Sequence, residues 1–129
     1  MSKRKRILVA DDAPFLLAVI KDILECGGYE VIAASDGLEA LTKARAERPD
    51  AIVLDVEMPK MQGYHVCRML KFDERYKHIP IIILTSKAEE KDKLIGLKTG
   101  ADEYLTKPVG DTVLLEAIKE ILKLKSQIR

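Results

Sequence analysis

The sequence predicts a doubly wound α/β fold, in which a five-stranded parallel sheet is covered by helices on both faces. Five short segments rich in aliphatic and β-branched residues alternate along the chain with five longer segments of helical period. The strand segments are continuously apolar, which is typical of parallel strands that are buried on both faces. Right-handed crossovers between such strands then give the doubly wound arrangement.

The first strand and helix have well-marked ends. Ile7–Ala10 has the composition of a buried strand and stops abruptly at Asp11 and Asp12. Pro14 suits a first helical turn, where its missing N–H costs nothing. Apolar residues then recur at helical spacing until Gly27-Gly28, which supplies a stop. We expect Asp12 to cap this helix, because acids at such a position are most often N-cap residues.

The second and third strands flank the next helix. The second strand is predicted over Tyr29–Ala34. Asp36 and Glu39 form a capping-box pattern that opens a helix extending through Arg48. The third strand, Ala51–Leu54, terminates in an acidic residue like the first.

The rest of the chain repeats the alternation. The fourth strand is the most apolar stretch of the sequence, the helix after it is interrupted by a glycine, and the fifth strand is short. In order, the predicted elements are a helix at Tyr64–Phe72, a strand at Ile79–Leu84, a helix at Glu89–Thr99, a strand at Glu103–Thr106 and a last helix from about Asp111 to Lys125.

Composition and length exclude several classes of function. Twenty-two basic residues against 21 acidic ones give a net charge of +1, which does not support a nucleic-acid binder. Neither a membrane-spanning apolar stretch nor a signal-peptide pattern occurs. Cys26 and Cys67 are isolated, so we expect buried free thiols in a reducing cytoplasm, and we expect His65 and His78 at the surface. One domain is predicted over residues 5–125, with no output domain in the chain.

Polar residues concentrate where the predicted strands end: Asp11 and Asp12, Asp55, Thr85 and Lys107. In doubly wound sheets ligands bind beyond these carboxyl ends. Crowded carboxylates repel each other, and a hard divalent cation relieves the repulsion; oxygen ligands beside a single phosphate favour Mg²⁺. A lysine adds a fixed positive charge, and a hydroxyl can hydrogen-bond a phosphoryl oxygen. The set predicts phosphoryl transfer to an aspartate.

The same residues lie in four segments that resemble the receiver domains of two-component response regulators. The segments are Asp11-Asp12, Asp55–Gly63, Thr85-Ser86 and Gly100–Pro108, and the resemblance extends from about Lys5 to Leu124. It implies a (βα)5 fold of the flavodoxin/CheY-like type, with strand order 2-1-3-4-5. It also implies a phosphorylation-activated signalling switch, which catalyses no reaction beyond its own phosphorylation and dephosphorylation.

The resemblance implies roles for individual residues. Asp55 would accept the phosphoryl group from a sensor histidine kinase or a histidine phosphotransfer protein. Thr85 and Lys107 would contact that group. Asp12 would bind Mg²⁺ directly and Asp11 largely through water. The carboxylate of Asp55 and the backbone carbonyl of Glu57 would be further ligands.

Three further expectations come from the family pattern. Tyr104 matches an aromatic switch position, whose ring turns inward when Thr85 moves toward the phosphoryl group. Glu57 and Lys87 flank the path of attacking water, and we expect them to act as a kinetic gate on hydrolysis. The Lys107–Pro108 peptide is expected to be cis.

Alternatives remain open at this stage. The chemistry also fits an aspartate-dependent phosphatase of the haloacid dehalogenase type, although the chain is short for a substrate-selecting cap. A pseudo-receiver would act only as a binding module, and a receiver of a longer regulator would have a DNA-binding or enzymatic output domain. Tyr104 has the alternative interpretation of an ordinary edge-strand aromatic. Val113 and Ala117 replace charges with which winged-helix regulators pair their receivers, so we expect a monomer or a weak dimer.

Overall fold

The computed structural model describes residues 4–86 and 100–128 of the 129-residue chain. The predicted helix at Glu89–Thr99 and the gate residue Lys87 lie outside the described residues. Strands and helices alternate from residue 6 to residue 85, and a fifth strand and a last helix follow residue 100. The elements are β1 (Arg6–Ala10), α1 (Pro14–Cys26), β2 (Glu30–Ala34), α2 (Gly37–Glu47), β3 (Ala51–Asp55), α3 (Gly63–Lys71), β4 (Ile81–Thr85), β5 (Glu103–Thr106) and α4 (Asp111–Ile128). None of the described helices combines the length and the apolar character that crossing a membrane requires.

The five strands form one parallel sheet in the order β2-β1-β3-β4-β5, which confirms the predicted topology. The chain moves from β1 outward to β2 and then returns across β1 to β3. Strand order therefore reverses between β1 and β3, and this is where doubly wound sheets form a crevice beyond their carboxyl ends. The residues that follow β1 and end β3 line that crevice.

Helices cover both faces of the sheet. Alternate residues of each strand point to opposite sides, so the strands contribute to two core clusters. Leu8 and Ile52 belong to one core cluster, which they share with α2 and α3. Val9 and Val53 belong to a second cluster on the opposite face, shared with α1 and α4. Every residue of β3 and β4 is buried, as the continuously apolar pattern predicts.

The predicted start of the fourth strand and the predicted cap of the first helix differ from the structure. The fourth strand begins at Ile81 rather than Ile79, because the Ile79 N–H donates to the carbonyl of Tyr76 in a turn and Pro80 has no N–H to give to the sheet. The prediction that Asp12 caps the first helix was wrong. The N-cap residue is Ala13, whose N–H donates to the Asp11 carboxylate at 2.9 Å.

The capping box of α2 is present in a slightly shifted form. The Asp36 carboxylate accepts from the Glu39 N–H at 2.7 Å, as predicted. Glu39 reaches back one residue further than expected, to the N–H of Ser35 at 2.7 Å. Cys67 is buried as expected, whereas the prediction for Cys26 was wrong, because its side chain is exposed at the end of α1.

A partly buried ammonium group connects the end of α3 to the strands beside it. The side chain of Lys71 is only 12% exposed, and its Nζ lies 2.7 Å from the Asp102 carboxylate. The same Nζ donates to the carbonyls of Ile79 at 2.8 Å and Lys77 at 3.2 Å. Asp102 in turn accepts from the N–H of Ile81, the first residue of β4. These contacts fix the approach to β4 and β5 on the side away from the crevice.

Candidate functional site

The fold brings four of the sequence-predicted residues together at the carboxyl edge of the sheet. Asp11 and Asp12 follow β1, Asp55 ends β3, and Lys107 follows β5. The Lys107 Nζ lies 2.6 Å from an Asp55 oxygen and 4.0 Å from an Asp11 oxygen. Carboxylate oxygens of the three aspartates all lie within 4.8 Å of one another. Residues separated by up to 96 positions in sequence, 11 to 107, thus form one cluster.

The aspartate cluster has the properties of a divalent-cation site. Asp11 is 1% exposed, and one of its oxygens accepts from the Ala13 N–H while the other has no hydrogen-bond partner among the described residues. A buried carboxylate oxygen without a partner is costly, so it needs a cation or water. Asp12 is exposed and leaves one side of the cluster open. Three carboxylates that converge on one point, one with an unused oxygen, fit Mg²⁺.

The pKa values of Asp55 and Lys107 are both raised, for different reasons. Burial is the main reason that the pKa of Asp55 lies above its usual value; the charges of Asp11 and Asp12 add to the increase, and the hydrogen bond from Lys107 opposes it. Burial by itself would lower the pKa of the Lys107 ammonium. The hydrogen bond and charge of Asp55, with the two other carboxylates, outweigh burial and leave that pKa raised. Lys107 therefore remains charged beside Asp55.

An open pocket of about 960 Å³ surrounds the exposed part of the cluster. Its walls come from residues at or just beyond the carboxyl ends of β1, β3, β4 and β5, from the β3–α3 loop and from the first turns of α3. The α3 residues that line it are Tyr64, His65 and Arg68. His65 and His78 are both exposed, as predicted. The pocket is wide enough to admit a side chain or a small phosphorylated molecule to Asp55.

The predicted switch residues occupy defined positions. Thr85 is buried, lines the pocket, and donates its hydroxyl to the Ser86 carbonyl at 3.1 Å. Tyr104 is half-buried on β5, with its hydroxyl 3.1 Å from that of Tyr64. The Lys107–Pro108 peptide is cis, as the family pattern implies.

The predicted gate is only partly described. Glu57 is exposed and lines the pocket. Lys87 lies outside the described residues, so a contact between the two charges stays a prediction.

Two residues of the site were missed at the level of sequence. Gly63 starts α3, where a Cβ would lie 2.1 Å from the Asp55 carbonyl oxygen, so only glycine lets the helix approach the strand end this closely. Its N–H donates to the Val56 carbonyl at 2.8 Å. A glycine directly before a helical pattern and after a proline-containing loop is a signal for such an approach. Tyr64 gave no comparable signal, because its contact with Tyr104 joins residues 40 positions apart.

Comparisons with known proteins agree with this geometry. The family model for the response regulator receiver domain matches residues 7–119. The chain is 47% identical over 119 residues to the alkaline phosphatase synthesis transcriptional regulatory protein PhoP of Bacillus subtilis, covering 92% of this chain and 49% of that relative. It is 39% identical to protein PilH of Pseudomonas aeruginosa, covering 91% of this chain and 97% of that relative. The structure of a CheY-like receiver domain protein from Methanospirillum hungatei superposes with a TM-score of 0.92 at 33% identity, covering 98% of this chain and 100% of that one.

The match therefore includes the strands from Ile7 onward, the strand ends and the first half of α4. The chain spans about half the length of the Bacillus relative and nearly the whole length of the Pseudomonas relative. Receiver domains of two-component systems are signalling switches rather than classical enzymes. With a matching family model over most of its length and the family's strand order, the chain belongs to the response regulator receiver domains.

Proposed function

We propose that this receiver accepts a phosphoryl group on Asp55 and changes its partner-binding surface in response. The observation that carries the proposal is the 2.6 Å contact between Lys107 Nζ and Asp55, beside a buried Asp11 oxygen that lacks a hydrogen-bond partner among the described residues. A nucleophilic carboxylate, a fixed ammonium and a set of cation ligands are what phosphoryl transfer to an aspartate requires. A sensor histidine kinase or a histidine phosphotransfer protein is the proposed donor.

In the proposed reaction an Asp55 oxygen forms a bond to phosphorus while the bond from phosphorus to the donor atom breaks. The electron pair of that bond leaves with the donor imidazole. Lys107 neutralises charge on the transferred group and keeps it beside Asp55, since its ammonium is already in contact there. Thr85 must give up its hydrogen bond to the Ser86 carbonyl before its hydroxyl reaches a phosphoryl oxygen. The ring of Tyr104, on β5, then turns inward.

Mg²⁺ is the proposed cofactor. The carboxylates of Asp11, Asp12 and Asp55 would hold it, and the family pattern adds the backbone carbonyl of Glu57. When bound, the ion supplies positive charge that offsets the carboxylates and the phosphoryl oxygens. Without that charge the three carboxylates repel an approaching phosphate, so we expect the reaction to depend on the metal.

The output and the cellular setting follow from the same proposal. We assign output to the surface formed by β5, α4 and the segment 89–99, the last of which lies outside the described residues. The protein acts in the cytoplasm, modifies only itself, and binds neither nucleic acid nor membrane directly. An alternative is favoured by the Bacillus relative, which is twice as long as the match: this receiver is then one domain of a regulator with a DNA-binding or enzymatic output domain.

The test is the intact mass of the protein after incubation with acetyl phosphate, with and without Mg²⁺. We expect one added phosphoryl group, only in the presence of Mg²⁺, and none in Asp55→Asn. Asp22→Asn is a matched control, because Asp22 is an exposed acid on α1 outside the carboxylate cluster. Labelling of Asp55→Asn to the same extent as the parent would place the acceptor elsewhere and refute the proposal.

A further inference from the structure

A hydrogen bond between two tyrosine hydroxyls joins α3 to β5. The hydroxyls of Tyr64 and Tyr104 are 3.1 Å apart, and either can act as the donor. Both rings are half-buried and pack against the core cluster that α2 and α3 share with one face of the sheet. A hydrogen bond in such partly shielded surroundings is stronger than one exposed to water. The half-buried orientation of the Tyr104 ring is therefore held from the α3 side.

Tyr64 is also part of the pocket wall around Asp55. It lines the same pocket as Asp55 and Lys107, and it directly follows Gly63, where a Cβ would lie 2.1 Å from the Asp55 carbonyl oxygen. Tyr104 lies on β5, opposite Ile83 of β4. Tyr64 thus has the site on one side and the β5 ring on the other. This route does not pass through Thr85, whose hydroxyl is bonded to the Ser86 carbonyl.

We propose that Tyr64 is a positioning residue for Tyr104. Through the hydroxyl pair, Tyr64 holds the Tyr104 ring in place and transmits to it the phosphorylation state of Asp55. The second part rests on the proposed function. A phosphoryl group on Asp55 adds bulk and negative charge to the pocket that Tyr64 lines, so the first turn of α3 must adjust. The hydroxyl pair transmits the adjustment to β5. Loss of one such neutral hydrogen bond shifts a two-state equilibrium by about two- to tenfold.

The position of the Tyr104 ring can be followed by fluorine NMR of the full chain carrying 3-fluorotyrosine. The chain has four tyrosines, so the spectrum contains few resonances, and Tyr104→Phe identifies the one of interest. Tyr64→Phe removes the hydroxyl and keeps the ring. Tyr29→Phe is the matched control, because Tyr29 packs against the cluster on the opposite face of the sheet.

In Tyr64→Phe, before any acetyl phosphate is added, we expect the Tyr104 resonance to lie closer to the position of a solvent-exposed ring than it does in the parent. The resonance should then shift when acetyl phosphate and Mg²⁺ are added. The equilibrium constant between the two ring positions that this shift reports should differ about two- to tenfold from that of the parent. Tyr29→Phe should leave both quantities unchanged. Tyr104→Phe breaks the same bond from the other side and should move the Tyr64 resonance, which keeps the test valid if one variant folds poorly.

A Tyr104 resonance that is the same in Tyr64→Phe and in the parent overturns the positioning role. A resonance that moves, followed by a labelling response identical to that of the parent, overturns the relay. A merely structural role would lower the unfolding midpoint and leave the labelling response as it is. Intact mass on the same samples separates this inference from the proposed function. A parent that gains no phosphoryl group contradicts phosphorylation of Asp55, while the spectra recorded before acetyl phosphate is added still decide whether Tyr64 positions the ring.

Discussion

Replacement of Gly63 by alanine should disable the site without touching any of its side chains. The ideal Cβ of residue 63 would lie 2.1 Å from the Asp55 carbonyl oxygen and 3.0 Å from its carbonyl carbon. Gly63 does not have a left-handed backbone, so alanine can adopt its conformation and the clash is the whole perturbation. The new Cβ meets backbone atoms of Asp55 and Val56, so no flexible side chain can turn aside to relieve the clash.

The geometry sets the size of the effect. Relief of the clash requires the contact to lengthen from 2.1 Å to at least 3.0 Å, a separation of 0.9 Å between Asp55 and the start of α3. Overpacking of this kind costs about 1–3 kcal/mol of folding free energy, and a contact between two backbones belongs at the upper end. This separation moves Asp55 relative to Lys107, whose Nζ lies 2.6 Å from an Asp55 oxygen in the parent structure. Misplacement of reacting groups by about 1 Å costs on the order of 100-fold in rate.

The assay measures the rate of phosphoryl labelling from acetyl phosphate at a temperature well below the unfolding midpoint, together with urea unfolding. Gly110→Ala is the matched control, because a Cβ there meets nothing within 4 Å. That substitution should change stability by less than about 1 kcal/mol and leave the labelling rate unchanged. A Gly63→Ala protein that labels at the parent rate and unfolds within about 0.5 kcal/mol of the parent would refute the close-approach argument.

Three smaller predictions follow from contacts elsewhere and from the family pattern. Lys71→Met should lower the free energy of unfolding by about 2–4 kcal/mol, because it removes a partly buried ammonium that donates to three acceptors. Lys77→Met, at an exposed lysine, should cost less than about 0.5 kcal/mol, and equal costs would contradict the assignment. Asp36→Ala should cost about 1 kcal/mol in urea unfolding through loss of the α2 cap, and no cost would mean that the cap is redundant. Glu57→Ala and Lys87→Ala should each speed loss of the phosphoryl group, by an amount that corresponds to about 0–1 kcal/mol and shrinks with salt, with a non-additive double variant. Slower loss in Glu57→Ala would show that this carboxylate instead orients the attacking water.

Elements and their order followed from local pattern, and local chemistry also explains where the predicted ends were off. Continuous apolar runs identified β3 and β4 because both lie buried between two helical layers. β4 begins after Pro80, whereas the apolar residues on either side of this proline led to a prediction that the strand begins at Ile79. Acids at a helix start usually cap it, yet the N-cap residue is Ala13 and it is Asp11 that accepts its N–H. These are choices between neighbouring residues of similar local preference, which the packing of the helix on the sheet decides.

The sequence by itself determined which polar residues lie at the carboxyl edge of the sheet, because parallel strands all end there: Asp55 at the end of β3 and Lys107 beyond β5 could be assigned to one site before any coordinates. Only the tertiary structure decided the contacts between them. The spacing of the packed elements determines the 2.6 Å ion pair and the hydroxyl pair of Tyr64 and Tyr104. It also leaves one Asp11 oxygen without a hydrogen-bond partner within the described part of the chain. Sequence patterns record the repeat of a single helix or strand, whereas these distances are set by side chains that lie far apart in the chain and fill the space between elements.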